Sequence, residues 1–207
     1  MTEDEESAAR LTGGIWTAVA ASGGVHGTRF RHFPAAFGRA SLAELPLPAA
    51  MPRPGLPVAM PDGHGFERHT DAGELRAAYE RRPRTRIYED IGWGNETGWA
   101  WLAGQHLTRL AGTGPRVNVT VYQSRAGDEE LGAHRDTWLG VIVQASGAKL
   151  WEAGEGLFGR GERHRVLMTP GDVMVLPKNC PHLVTTPADP GWSAHLVFAV
   201  NRDLAGP

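Results

Sequence analysis

A chain of 207 residues, 41% hydrophobic and 21% charged, is long enough to bury a sizeable core and has the composition of a globular protein, which excludes disorder throughout. A net charge of −2 without a basic run argues against nonspecific nucleic-acid binding, no apolar stretch approaches the length of a membrane span, and the acidic start Met1-Thr2-Glu3-Asp4-Glu5-Glu6 is the opposite of a signal peptide's basic region. The single cysteine, Cys180, excludes an internal disulfide and a cysteine-based zinc cluster, so a reducing, cytoplasmic location is expected.

The first ten residues read as a polar, loosely ordered lead-in, and Leu11 to Ala21 as a short helix weakened by Gly13-Gly14. Thr28 to Phe33 alternates as a strand does, and His26 and His32, with no partner at ligand spacing, read as surface or packing residues. Ser41-Leu42-Ala43-Glu44 has the capping-box pattern of a short helical turn. The stretch 46–64 is rich in proline and glycine and reads as loop, with Leu56 to Met60 a candidate strand. Asp71-Ala72-Gly73-Glu74 opens a helix to about Arg82 with Leu75, Ala78 and Tyr79 on one face, and Arg84 to Tyr88 reads as a strand. Trp93, Trp99 and Trp101 form either a core layer or an aromatic substrate wall, and 97–111 reads as a helix with His106 on its polar side.

From Arg116 to about Asn201 the pattern changes to short strands separated by turn signals, as in a sandwich or barrel. The expectation is a mainly β chain forming one domain over 1–207, in which a helical lead-in with flanking strands (1–112) packs on the outside of a β-barrel core (116–201). In Val117 to Ser124, one face carries Val117, Val119 and Val121 and the other Asn118, Thr120, Tyr122 and Ser124. The polar face would meet solvent in a two-layer sheet and would line a cavity in a jelly-roll barrel.

His134 and Asp136 are two apart, which on a strand puts both side chains on one face with Arg135 pointing away. His182 is the best candidate for a third ligand, delivered by a turn, the apolar run Val173 to Leu176 and the second turn Pro177-Lys178-Asn179-Cys180-Pro181. Two histidines and one carboxylate leave three octahedral positions open, the arrangement that suits non-haem Fe(II). Lys149, in the strand Ala148 to Trp151 that follows Trp138 to Gln144 and a turn at Gly147, is either an edge charge or an inward ammonium that needs an anion, such as one end of a dicarboxylate cosubstrate. His195, on the strand Ser193 to Val200, is either a pocket residue or a buried histidine with a structural role, and His164 reads as structural. The acidic Asp128-Glu129-Glu130 loop is either a solvated turn or an attractor for a basic substrate.

Taken together and in order, the motifs over Val117 to Val200 resemble the JmjC-type cupin oxygenases, particularly the bacterial branch related to the ribosomal protein hydroxylases. The elements are Asn118 to Ser124, Gly132-Ala133-His134-Arg135-Asp136, then Gln144, Gly147, Lys149 and Trp151 at the family's offsets. Pro170-Gly171-Asp172, Leu176-Pro177, His182 and Ser193-Ala194-His195-Leu196 complete the set. The resemblance implies a double-stranded β-helix, Fe(II) held by His134, Asp136 and His182, and 2-oxoglutarate as cosubstrate with its distal carboxylate on Lys149. It also implies that Thr120, Tyr122 and Ser124 line the cosubstrate or substrate pocket. The loop between Ser124 and His134 departs from the family in being acidic and in lacking its common Pro-Pro, and the sequence has no counterpart of the dimerisation and winged-helix regions of the larger ribosomal oxygenases. The expected activity is hydroxylation of a C–H bond in a protein, peptide or small molecule, with a homodimer allowed and no nucleic-acid or membrane partner. The rivals are a metal-dependent cupin enzyme that uses no 2-oxoglutarate and a non-catalytic ligand-binding cupin.

Overall fold

A computed structural model of the chain describes residues 2–37, 57–63, 65–89, 99–112 and 116–201. The helical turn expected at Ser41 and the residue Trp93 lie outside them. Among the described residues there are three α-helices, α1 (Glu3–Ala21), α2 (Ala72–Arg81) and α3 (Trp99–Ala111). The strands of the first half are β1 (Arg31–Phe33), β2 (Val58–Pro61), β3 (Phe66–His69) and β4 (Arg86–Tyr88). The second half supplies β5 (Arg116–Arg125), β6 (His134–Arg135), β7 (Leu139–Gly147), β8 (Lys149–Ala153), β9 (His164–Met168), β10 (Val173–Leu176), β11 (Pro181–Thr185) and β12 (Trp192–Asn201). None of the described helices is long and apolar enough to cross a membrane.

α1 begins well before Leu11, which corrects the loosely ordered lead-in. The Thr2 hydroxyl accepts from the Glu5 amide and the Glu5 carboxylate accepts from the Thr2 amide, a complete capping box. The acidic run is thus the first turn, where negative charge opposes the helix dipole favourably. Gly14 does not break the helix either: a Cβ there would lie 2.2 Å from the ring of Phe37, so the glycine lets that ring pack flush on α1.

The strands form two antiparallel sheets, in the orders β1-β10-β7-β12-β5-β4-β2-β3 and β6-β11-β8-β9. In the larger sheet, period-two alternation sorts side chains between two apolar layers. Val119 and Val121 of β5, Val141 and Val143 of β7, and Leu196 and Phe198 of β12 face one way and pack with Leu11 and Ile15 of α1 and Leu107 of α3. Ile142, Met174, Leu176 and Val197 face the other way and meet Trp151, Met168 and Val184 of the smaller sheet. Both faces are therefore buried, and these strands read as near-continuous apolar runs. Fully burying each such side chain stabilises the fold by about 1.5–3 kcal/mol before entropy is counted.

The result is a mainly β double-stranded β-helix with the helices on the outer face of the larger sheet. Of the polar face of β5, Tyr122 points inward and packs in the layer between the sheets.

Candidate metal centre

β6 is only two residues long, but its register with β11 sets His134 directly opposite His182. Asp136 follows just past the strand end, on the side of His134. One ligand atom from each of His134, Asp136 and His182 can be chosen so that all lie within 4.8 Å of one another, and among the described residues no other group of three His, Cys, Asp or Glu side chains is drawn together in this way. The Nε2 atoms of His134 and His182 stand 3.9 Å and 3.6 Å from the two carboxylate oxygens of Asp136, and the rings lie 4.2 Å apart at a tilt of 58°.

Each imidazole is oriented by the carbonyl two residues before it. His134 Nδ1 lies 2.9 Å from the Gly132 carbonyl and His182 Nδ1 lies 3.1 Å from that of Cys180. A carbonyl only accepts, so Nδ1 carries the hydrogen and the Nε2 lone pair of each ring is free for a cation. Arg135 points away as its alternation requires and binds the Glu155 carboxylate at 2.8 and 3.0 Å and the Asn179 carbonyl at 2.8 Å. The Asn179 amide in turn donates to the Asp136 carbonyl at 2.7 Å. These contacts tie the turn that delivers His182 to the strand that carries His134 and Asp136.

Burial pushes the Asp136 carboxyl above the usual carboxylate range, opposed by the charge of His134. Burial, and then His134, lowers His182 to about 4. A neutral imidazole and a desolvated carboxylate are the states in which these groups ligate a metal, and a divalent cation would offset the buried negative charge. The donor set therefore fits a metal of the non-haem iron type.

The three side chains open into a cavity of about 30 Å³ between the sheets, room for one or two water molecules. Tyr122 and His195 line it and stack on each other, with centroids 5.1 Å apart and planes 1° apart. Trp151 stacks on His182 at 5.8 Å and meets His195 edge-on at 5.6 Å. His195 Nδ1 and Trp151 Nε1 are buried without a hydrogen-bond partner, which makes them available to a polar ligand.

Of the other residues singled out from sequence, Thr120 is half-buried and Ser124 buried, and neither lines the cavity. Lys149 points inward and is fully buried, not an edge charge. It donates to Ser124 Oγ at 2.8 Å, Thr186 Oγ1 at 2.9 Å and the Glu130 carboxylate at 2.5 Å. Burial lowers its pKa, opposed mainly by Glu130. The acidic loop is accordingly neither a solvated turn nor an exposed attractor: Asp128 accepts from the Tyr79 hydroxyl, Glu129 binds Arg82, and Glu130 accepts from Lys149 and from Thr85 at 2.6 Å. Thr186 escaped the sequence reading, and Glu130 was named there only as part of the acidic loop, because nothing local marks their meeting with Lys149; a buried lysine in need of a counter-ion was the available signal. His164 stands exposed and stacks on Phe30 at 5.0 Å, and His32 pairs with Asp172 at 3.3 Å, both away from the centre.

No protein-family model matches the sequence, and no curated protein matches it. Among solved structures, the chain resembles YcfD, a ribosomal oxygenase from Escherichia coli, with a TM-score of 0.58 and 15% identity over 84% of this chain and 48% of that one. The same protein in complex with cobalt and 2-oxoglutarate gives a TM-score of 0.59 at 13% identity with the same coverage, and in complex with cobalt and succinic acid 0.58 at 13%. The chain spans about half the length of the protein it resembles, and at these identities the likeness is one of fold: a cupin-type double-stranded β-helix shared with an oxygenase.

Proposed function

We propose that this chain is an Fe(II)- and 2-oxoglutarate-dependent oxygenase that hydroxylates a C–H bond of a protein, peptide or small-molecule substrate. The observation that carries the reading is the His134, Asp136 and His182 cluster, with both Nδ1 atoms committed to carbonyls and both Nε2 atoms facing one carboxylate. The fold it shares with an oxygenase that binds cobalt and 2-oxoglutarate supports the same class.

Iron held by these three residues would supply the redox chemistry, coupling oxidative decarboxylation of the oxo acid to succinate with transfer of one oxygen atom to the substrate. The protein's part is positional. The carbonyls of Gly132 and Cys180 fix the imidazole planes, and the Arg135 contacts hold the two ligand-bearing segments together. Tyr122, Trp151 and His195 wall the site with ring faces that exclude bulk water, and two of them offer unpaired N–H or N groups to a bound ligand. Lys149 supplies the cation for the distal carboxylate.

Anaerobic loading with Fe(II) and 2-oxoglutarate followed by oxygen tests this, with succinate as the product followed. The wild type should form succinate, and Asp136→Ala and His182→Ala should lower the rate about 100-fold or more. Equal rates in wild type and Asp136→Ala would refute it. One observation favours a second reading, a metal-dependent cupin that uses no 2-oxo acid: Lys149 already has an internal carboxylate partner in Glu130.

A further inference from the structure

An ammonium has three hydrogens, and those of Lys149 are matched by three acceptors, Ser124, Thr186 and Glu130. As the side chains stand, none is left for a ligand. Glu130 is the group that separates Lys149 from the cavity, because its side chain lines the cavity while its carboxylate lies on the ammonium, and Lys149 itself does not reach the lining.

We propose that Glu130 is a built-in competitor for the cosubstrate: its carboxylate holds the place on Lys149 that the distal carboxylate of 2-oxoglutarate takes, and the diacid binds only when Glu130 swings away. This rests on the reading of the preceding subsection and names what controls entry to that site. At Lys149 the exchange is neutral in charge, since one carboxylate replaces another and the buried ammonium is never left unpaired, while Glu130 gives up its bonds from Lys149, Thr186 and Thr85. Ser124 and Thr186 stay in place to accept from Lys149, and the Thr186 hydroxyl, which now donates to Glu130 at 3.1 Å, can turn to the incoming carboxylate. The motion is confined to one side chain. The backbone beside Glu130 is stitched to the lead of β4 by Thr85 N to Glu129 O at 2.9 Å and Glu129 N to Pro83 O at 3.0 Å, so no loop has to open. Glu130 thereby sets both affinity and selectivity. The apparent affinity for 2-oxoglutarate is scaled down by the fraction of molecules in which Lys149 is uncovered. A 2-oxo acid without a distal carboxylate has nothing with which to displace Glu130.

The test is anaerobic calorimetric titration of 2-oxoglutarate into the full chain loaded with Mn(II), comparing wild type, Glu130→Gln, Glu130→Asp and Lys149→Ala, with 2-oxobutyrate as the ligand that lacks the distal carboxylate. Glu130→Gln should bind 2-oxoglutarate about tenfold or more tighter than wild type, Glu130→Asp should fall between them, and Lys149→Ala should bind at least about tenfold more weakly. 2-Oxobutyrate should bind wild type and Glu130→Gln alike. Folded Glu130 variants that bind 2-oxoglutarate no tighter than wild type would overturn the proposal while leaving the cosubstrate reading intact. Mn(II) loading with no 2-oxoglutarate binding by any of the proteins would overturn both. Independently of any variant, wild-type crystals with Mn(II) and 2-oxoglutarate should show the Glu130 carboxylate withdrawn from Lys149, and a Glu130–Lys149 pair that persists beside bound 2-oxoglutarate would overturn it.

Discussion

His195 stacks between Tyr122 and the edge of Trp151 with its Nδ1 unpaired, and burial, then the charge of Lys149, holds its imidazole well below the usual histidine range. The folded state takes up this proton less readily than the unfolded chain does. The stability that follows is fully present above the free-histidine value of about 6.5 and is lost as the pH falls below it. The denaturant midpoint of the metal-free protein should therefore drop between pH 7 and pH 5, and His195→Asn should flatten part of that slope; an unchanged slope would show that another group carries it. Arg135 makes a different prediction. Its pair with Glu155 is exposed and screened by solvent, so it adds little to stability, but its bond to the Asn179 carbonyl steadies the turn before His182. Arg135→Ala should keep the wild-type melting temperature within a few degrees and weaken Co(II) binding about tenfold, read by titration. At this scale the sequence was informative where the spacing itself is geometry. His134 and Asp136 share a side because they are two apart at the end of β6, whereas Glu130 and Lys149 are nineteen apart and meet only through the packing of loop and sheet.

Among the elements, the turn between β7 and β8 is the most constrained. Gly147 has φ +64° and a Cβ there would lie 2.1 Å from the Trp192 carbonyl, on the neighbouring strand β12. Gly147→Ala should thus cost about 2 kcal/mol or more in chemical denaturation, through left-handed backbone strain and backbone contact together. A loss below about 0.5 kcal/mol would mean that β12 yields freely. β5 was legible from its period-two alternation, and β7, β8, β10 and β12 from short, largely apolar runs bounded by turn residues. β3 escaped because Phe66-Glu67-Arg68-His69 is short and mostly polar, and is held as a strand by pairing with β2. The start of α1 was missed although Thr2 and Glu5 carry a capping box, because the acidic run was read as a solvated tail.

For the whole molecule, two sheets closing on each other follow from strands apolar on both sides, one layer for the helices and one for the opposite sheet. Phe198 lies fully buried in the outer layer, and Phe198→Ala should cost about 3–5 kcal/mol while leaving the inner layer's residues unaltered. The register that seats His134 against His182 is a property of this closure: β6 and β11 are brought together by the smaller sheet, and no local pattern in either segment encodes the pairing. Sequence supplied the candidate ligands, and the sheet supplied their meeting.

That meeting is best tested by titrating the metal-free protein with Co(II) under nitrogen and following the ligand-field spectrum. The account predicts one ion per chain in wild type and loss of that site in Asp136→Ala and in His182→Ala. Saturation of the two variants at the same stoichiometry and affinity as wild type would contradict it.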